Sequence, residues 1–386
     1  ALRYEASYTS DLSGSIKKAS TIRNDHYFDR DISNLTVNYA FDTNGQDITF
    51  ASVFSGDAGL NKEGSGTLTL SATNTYSGDT LINAGVLDVT GLLANTSDVV
   101  VAENATYRLG RSDAVASMAG AGNIDLGSFM LTANNTTDTT FSGIISGSGS
   151  LTKTGSSTLT LSGMNTYSGG TTVSAGTLFG GAGSQDNTSF GSGAITVSNG
   201  ATLWVDRSND GVMTNALTLN GGTLQGTNGF GQYWDGDITL GANSTIDNFS
   251  NFYIDGNISG AYGLTKINQG TLTLSATNTY SGHTLINAGV LDVSGLLADT
   301  SDVVVATNAI YKLGQSDVVR SISGAGNIQL GNKTLTAGSV TNNAFSGSMS
   351  GLGGNFVKTG SGTLTLSGAN TFTGSTTISQ GQLTLG

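Results

Sequence analysis

Only three glutamates (Glu5, Glu63 and Glu103) and two histidines (His26 and His283) occur in this chain. Hydrolysis or elimination at a sugar linkage needs two carboxyls a few ångströms apart, and the sequence contains no Asp-Asp pair. Its one dense ionisable group is Asp25, His26, Asp29 and Asp31, which reads as a solvated surface. Asp98 and Asp302 recur in two copies of TSDVVV, at strand starts where Asp commonly serves a turn. His283 stands where the other copy has Asp79, so the repeated frame requires neither side chain. With no cysteine and two histidines, thiolate or multi-His metal sites and a Cys nucleophile are excluded. No G-x-S-x-G elbow sits at a strand–helix junction. ISGSGS at Ile145–Ser150 leads into no helix, so a phosphate-cradling loop is not indicated. We therefore assign no catalytic, cofactor-binding or metal-binding residue, and the chain reads as a non-enzyme.

Two other residue sets could make contacts. Phe230, Tyr233, Trp234, Phe249, Phe252, Tyr253 and Tyr262 fall within 33 residues. Aromatic faces can stack on sugar rings, and Tyr233, Trp234, Phe252 and Tyr253 are the candidates for such a surface. In QYWDG, neighbouring residues on a strand face opposite ways, so one of Tyr233 and Trp234 points inward. The second set is the threonines of TLTLS, Thr67, Thr69, Thr271 and Thr273, whose alternation puts them on an outer face.

The elements that must position these residues are repeats. NTYSG occurs at Asn74–Gly78, Asn165–Gly169 and Asn278–Gly282, and NTFTG at Asn370–Gly374. Each follows a TLTLS and precedes a second short strand ending in a Gly turn. Asn74, Tyr76, Gly78, Asn165, Tyr167, Gly169, Asn278, Tyr280, Gly282, Asn370, Phe372 and Gly374 are read as structural residues of this motif. A longer duplication is superposed: residues 66–143 match 270–347 without a gap, at about 70% identity. Alternation of period 2 marks half-buried strands, and the intervening Gly and Asn supply tight turns.

Composition agrees. The chain has 386 residues, 57 glycines, no proline and 11% charged residues, against about 25% in an ordinary domain. Proline would remove a donor from strands paired on both sides. We expect an all-β, right-handed parallel β-helix, a solenoid whose rungs pair with one another. Leu68 and Leu70, Leu159 and Leu161, Leu272 and Leu274, and Leu364 and Leu366 should face inward. Residues 51–386 form the repetitive β-helix. Residues 1–50, unusually rich in charge, are an atypical N-terminal cap or irregular first rungs. The chain stops at Gly386 after a rung-like LTL, so we expect the natural protein to continue. The net charge of −12 disfavours nucleic acid as a partner.

The strings GSGTLTLSGANTFTGSTTISQGQL (Gly360–Leu383) and STLTLSGMNTYSGGTTVSAGTL (Ser157–Leu178) resemble the passenger-associated transport repeat of bacterial autotransporters. So do the two GTLTLSATNTYSG copies. The resemblance implies a β-helical passenger exported through the outer membrane by a translocating β-barrel outside this fragment. It would lie at the cell surface, anchored in or released from the outer membrane. A chain that threads a pore should not close disulfides first, which suits the absence of cysteine. Outward Thr, Ser, Asn and Asp would stack into ladders, each hydrogen bond worth about 0.5–1.5 kcal/mol net. The expected role is an adhesin fragment that drives cell–cell aggregation and biofilm formation by association with itself on neighbouring cells. A host surface glycan or protein is the alternative partner. The alternative roles are a passive export and folding stalk for another module, and a glycan-active β-helix enzyme.

Overall fold

A computed structural model describes residues 2–3, 38–181, 188–206, 212–227 and 231–386. The cluster Asp25, His26, Asp29 and Asp31, the aromatic Phe230, and most of the segment assigned as a cap lie outside the described residues. Of residues 1–50, Tyr39–Asp42 and Ile48–Phe50 are rung strands already, pairing in parallel with Leu60–Glu63 and Thr67–Leu70. The described residues contain no helix. They form a parallel β-solenoid in two compact units, Ala1–Ala194 and Ile195–Gly386.

Within the first unit, successive strands of one sheet are Leu60–Glu63, Thr80–Ile82, Asp98–Val101 and Ser117–Gly120. A second sheet runs through Thr67–Leu70, Val86–Val89, Thr106–Leu109, Asn123–Asp125 and Ile144–Ser146. A third runs through Asp113–Val115, Met130–Asn134, Ser150–Thr154 and Thr171–Val173. The second unit repeats the plan. Its Thr284–Ile286, Asp302–Val305 and Ser321–Gly324 form one sheet. Thr271–Leu274, Val290–Val293, Ile310–Leu313 and Asn327–Gln329 form another.

Register makes the core. Leu68, Leu87, Tyr107, Ile124 and Ile145 sit on successive rungs of one ladder, and all are fully buried. Each such aliphatic side chain contributes about 1.5–3 kcal/mol on burial. It makes that contribution only because the rungs below and above supply its neighbours. All eight leucines expected inside are buried, the most exposed being Leu364 and Leu366 at 4%. The threonines between them are half-buried on the outer side.

Candidate functional site

The NTYSG motif is a polar stitch through the core. Asn74 Oδ1 accepts from the Phe54 amide one rung back, while its Nδ2 donates to Ala72 O and to Leu92 O of the next rung. Asn278 repeats all three bonds with Ile258, Ala276 and Leu296. Asn165 accepts from Ile145 N and donates to Ser189 O; Asn370 accepts from Met349 N and donates to Gly368 O. Two residues on, Tyr76 is buried with its hydroxyl 2.6 Å from Thr80 Oγ1, which lies 2.7 Å from Ser97 Oγ. Tyr280, Thr284 and Ser301 reproduce the chain at 2.7 and 2.8 Å. Tyr167 pairs with Thr171 Oγ1, which donates to Phe190 O. Burial raises the Tyr76, Tyr167 and Tyr280 phenols far above their ordinary range. Phe372 has no hydroxyl for this link and is half-buried.

The glycine of the motif answers to crowding. A Cβ on Gly78 would lie 2.4 Å from Gly59 N, and on Gly282 2.2 Å from Gly263 N. Gly169 and Gly374 meet Gly149 O and Gly354 O at 2.6 and 2.3 Å. Glycine therefore lies over glycine from rung to rung at all four sites.

Sequence reasoning missed a second element of each repeat, a buried lysine. Lys62, Lys153, Lys266 and Lys358 are no more than 1% exposed. Lys153 Nζ donates to the carbonyls of Thr154, Gly155 and Ala175 at 2.6, 2.9 and 3.3 Å. Lys62 holds Glu63, Gly64 and Ala84, and Lys358 holds Thr359, Gly360 and Gln380. Lys266 donates to Ile267 and Asn268. The ammonium thus gathers carbonyls of the strand end and the following turn; among them Glu63 O also accepts from the Thr43 amide of the rung before. Burial lowers Lys62, Lys153 and Lys266 to about 8, with Asp42 (Lys62), Asp138 (Lys153) and Asp247 (Lys266) pulling the other way. The signal lay in the sequence: a lysine sits five residues before the first Thr of each TLTLS.

The duplication carries a further buried pair. Tyr107 OH donates to Asp113 Oδ2 at 2.8 Å, and Tyr311 to Asp317 at the same distance. The backbone amides of Leu93 and Ala114 also donate to Asp113. Burial raises both carboxyls despite these donors.

The outer faces divide the aromatic candidates. Tyr233 and Tyr253 occupy successive rungs and stack outside, with ring centroids 4.7 Å apart and planes 10° from parallel. Trp234 and Phe252 are fully buried, which corrects their place in a contact surface: strand alternation turns both into the core. Thr67 and Thr69, and Thr271 and Thr273, are half-buried on the outer face. Thr69 lies in register with Asp88 and then Arg108, and Thr273 with Asp292 and then Lys312, so the threonine ladder changes at once into a charged one. Asp98 and Asp302 also lie outside, each accepting from a serine hydroxyl, Ser117 or Ser321, at 2.6 Å. Among the described residues, no three His, Asp or Glu side chains converge as metal ligands would.

A parallel solenoid with polar stitches at regular intervals and small hydroxyl and amide side chains outside has the build of a passenger domain. Residues 60–89, 151–178, 264–293 and 356–385 match the passenger-associated-transport-repeat family. Each match runs from the strand carrying the buried lysine, through TLTLS and the Asn-Tyr-Gly stitch (Asn-Phe-Gly in the fourth), into the second strand after it. The chain is 36% identical over 392 residues to the adhesin BmaC autotransporter of Brucella suis biovar 1 (strain 1330). That alignment covers 94% of this chain and 11% of the relative's length. The chain is thus autotransporter passenger sequence bearing four of these repeats. No solved structure matches it.

Proposed function

We propose that this chain is an adhesive stretch of an autotransporter passenger, exposed at or released from the bacterial surface, which holds cells together by associating with its own copies. The observation that carries this reading is the division of labour in each repeat. Asn and Lys in all four repeats, and Tyr in three of them, are consumed inside as stitches, while Thr, Ser, Asn and Asp cover the outer strands. An outer surface of this kind offers many modest contacts, each worth about 0.5–1.5 kcal/mol, which add up along an extended interface. The likeness to an autotransporter adhesin supports the same reading and favours a non-enzymatic role. Because the chain spans 11% of that relative's length, the whole protein's partners belong to this proposal as well. Cells displaying the chain should clump with one another and exclude differently labelled cells that lack it. Correct display without clumping would defeat the reading. The stalk alternative draws on the fact that all four repeats are occupied by interior stitches. It predicts full display and no clumping.

A further inference from the structure

We propose that the outward sheet face around His283, Asp302 and Arg320 docks on the equivalent face around Asp79 and Asp98 of a second copy of this chain. This rests on the self-association reading and names the surfaces it would use. The two faces are built on one frame. In the first, Leu81, Val100 and Ala119 form an outward row across three rungs. In the second, Leu285, Val304 and Ser323 form the same row. All six are half-buried, so each face offers a shallow row, apolar throughout in the first and ending in the Ser323 hydroxyl in the second.

The edges of the rows differ in charge. Beside the first row stand Asp79 and Asp98, on neighbouring rungs, and among the described residues no cation lies within ion-pair distance of either. Burial, together with the charge of Asp98, raises the Asp79 carboxyl above its ordinary range. In the second copy His283 replaces Asp79 and Arg320 replaces Ala116. His283 Nδ1 lies 3.1 Å from Asp302 Oδ2, and Arg320 Nε donates to Asp302 Oδ1 at 2.7 Å while its Nη2 reaches Oδ2. Against the pull of burial, hydrogen bonds from Arg320 and Ser321 hold the Asp302 carboxyl below its ordinary range. Arg320 and His283 remain exposed, with guanidinium and imidazole edges free to face a partner.

Complementarity selects the pairing. First face against first face opposes four carboxylates, whereas second against second opposes two Arg320 guanidinium groups, each already paired with its own Asp302. First against second sets Asp79 and Asp98 against Arg320 and His283, and it lays two largely apolar rows of equal rung spacing together. Like-charge juxtaposition rejects the first-against-first pairing, and second-against-second offers Arg320 no carboxylate beyond the Asp302 it already holds.

The test uses the whole 386-residue chain and two surface variants, Arg320→Glu and Asp79→Arg, with Arg320→Ala as a milder form that installs the residue of the first copy. Unchanged melting temperatures establish that each variant is folded. By sedimentation, each charge reversal alone should weaken self-association about tenfold or more. An equimolar mixture of the two should regain it, since the arginine introduced on one chain then faces the glutamate introduced on the other. If the unmodified chain associates but the reversals leave it unchanged, or the mixture regains nothing, this pairing is wrong while self-association stands. If the unmodified chain stays monomeric to about millimolar concentration, both this pairing and the proposed function are overturned.

Discussion

The first copy of the duplicated segment, 66–143, carries seven carboxylates against two arginines; the second, 270–347, carries four against one arginine and two lysines. The frame beneath these charges scarcely changes. Leu68, Tyr76, Tyr107 and Asp113 recur as Leu272, Tyr280, Tyr311 and Asp317, in the same registers and with the same hydrogen bonds. Of the positions that differ, only Met118 and Asn135 are buried in the first copy; they become Ile322 and Ser339. The charge changes fall elsewhere: Asp79 to His283, Asn95 to Asp299, Glu103 to Thr307, Arg111 to Gln315, Ala116 to Arg320, Asp125 to Gln329, Phe129 to Lys333 and Asp138 to Asn342. The difference follows from solenoid physics. An inward residue must fit the rungs below and above it, whereas an outward residue has water on one side. Contact specificity can therefore change on the faces without refolding the chain.

The largest expected effect breaks both copies alike. Leu68→Asp and Leu272→Asp each place a carboxylate in a fully buried position, and each should cost about 3–5 kcal/mol. Denaturant midpoints should fall by similar amounts. A large loss in one copy and a small one in the other would show that the frames are not equivalent. Next comes the stitch. Asn74→Ala and Asn278→Ala each strand an amide and remove two carbonyl partners, at about 2–3 kcal/mol. Serine at either position should recover part of the loss, and a neutral result would show that the stitch is incidental.

The β-solenoid was legible because its rule is local. Alternation in TLTL and VLDV places Leu68, Leu70, Leu87 and Val89 inside without any knowledge of their neighbours. The recurrence of NTYSG marked Asn74, Tyr76, Asn165, Tyr167, Asn278 and Tyr280, all of them buried, while Asn370 and Phe372 of the fourth copy are half-buried. Three things were not legible. Trp234 against Tyr233 is a choice of strand phase, and the aromatic pair alone does not make it. Lys62 and its three counterparts recur at one spacing, but by residue type they look like surface charges; only the carbonyls gathered at the strand end and the following turn give an ammonium a reason to be buried. Asp113 likewise finds its partner, Tyr107, across a turn that the sequence does not shape on its own.

Those lysines give a smaller effect with a definite sign. Lys153 in the first unit and Lys266 in the second are lowered by burial to about 8, from 10.5 in the open chain. Between those values the unfolded chain binds more protons than the folded one, so stability should rise as pH goes from about 8 to about 10. Lys153→Met and Lys266→Met should each reduce that slope, and each should lower stability at neutral pH by leaving turn carbonyls unpaired. A melting temperature that falls steadily over this range in the unmodified chain would contradict the assignment. The smallest effect is on the faces. Exchanging Asp79 and His283 between the copies should change stability by less than about 0.5 kcal/mol, since both are exposed. A larger change would mean that the faces help hold the rungs together.

Sedimentation equilibrium of the purified chain, from about micromolar to about millimolar concentration, tests the central claim most directly. An interior committed to stitching and outer faces free for contact predict a reversible, concentration-dependent dimer. A chain that remains monomeric throughout that range would contradict it.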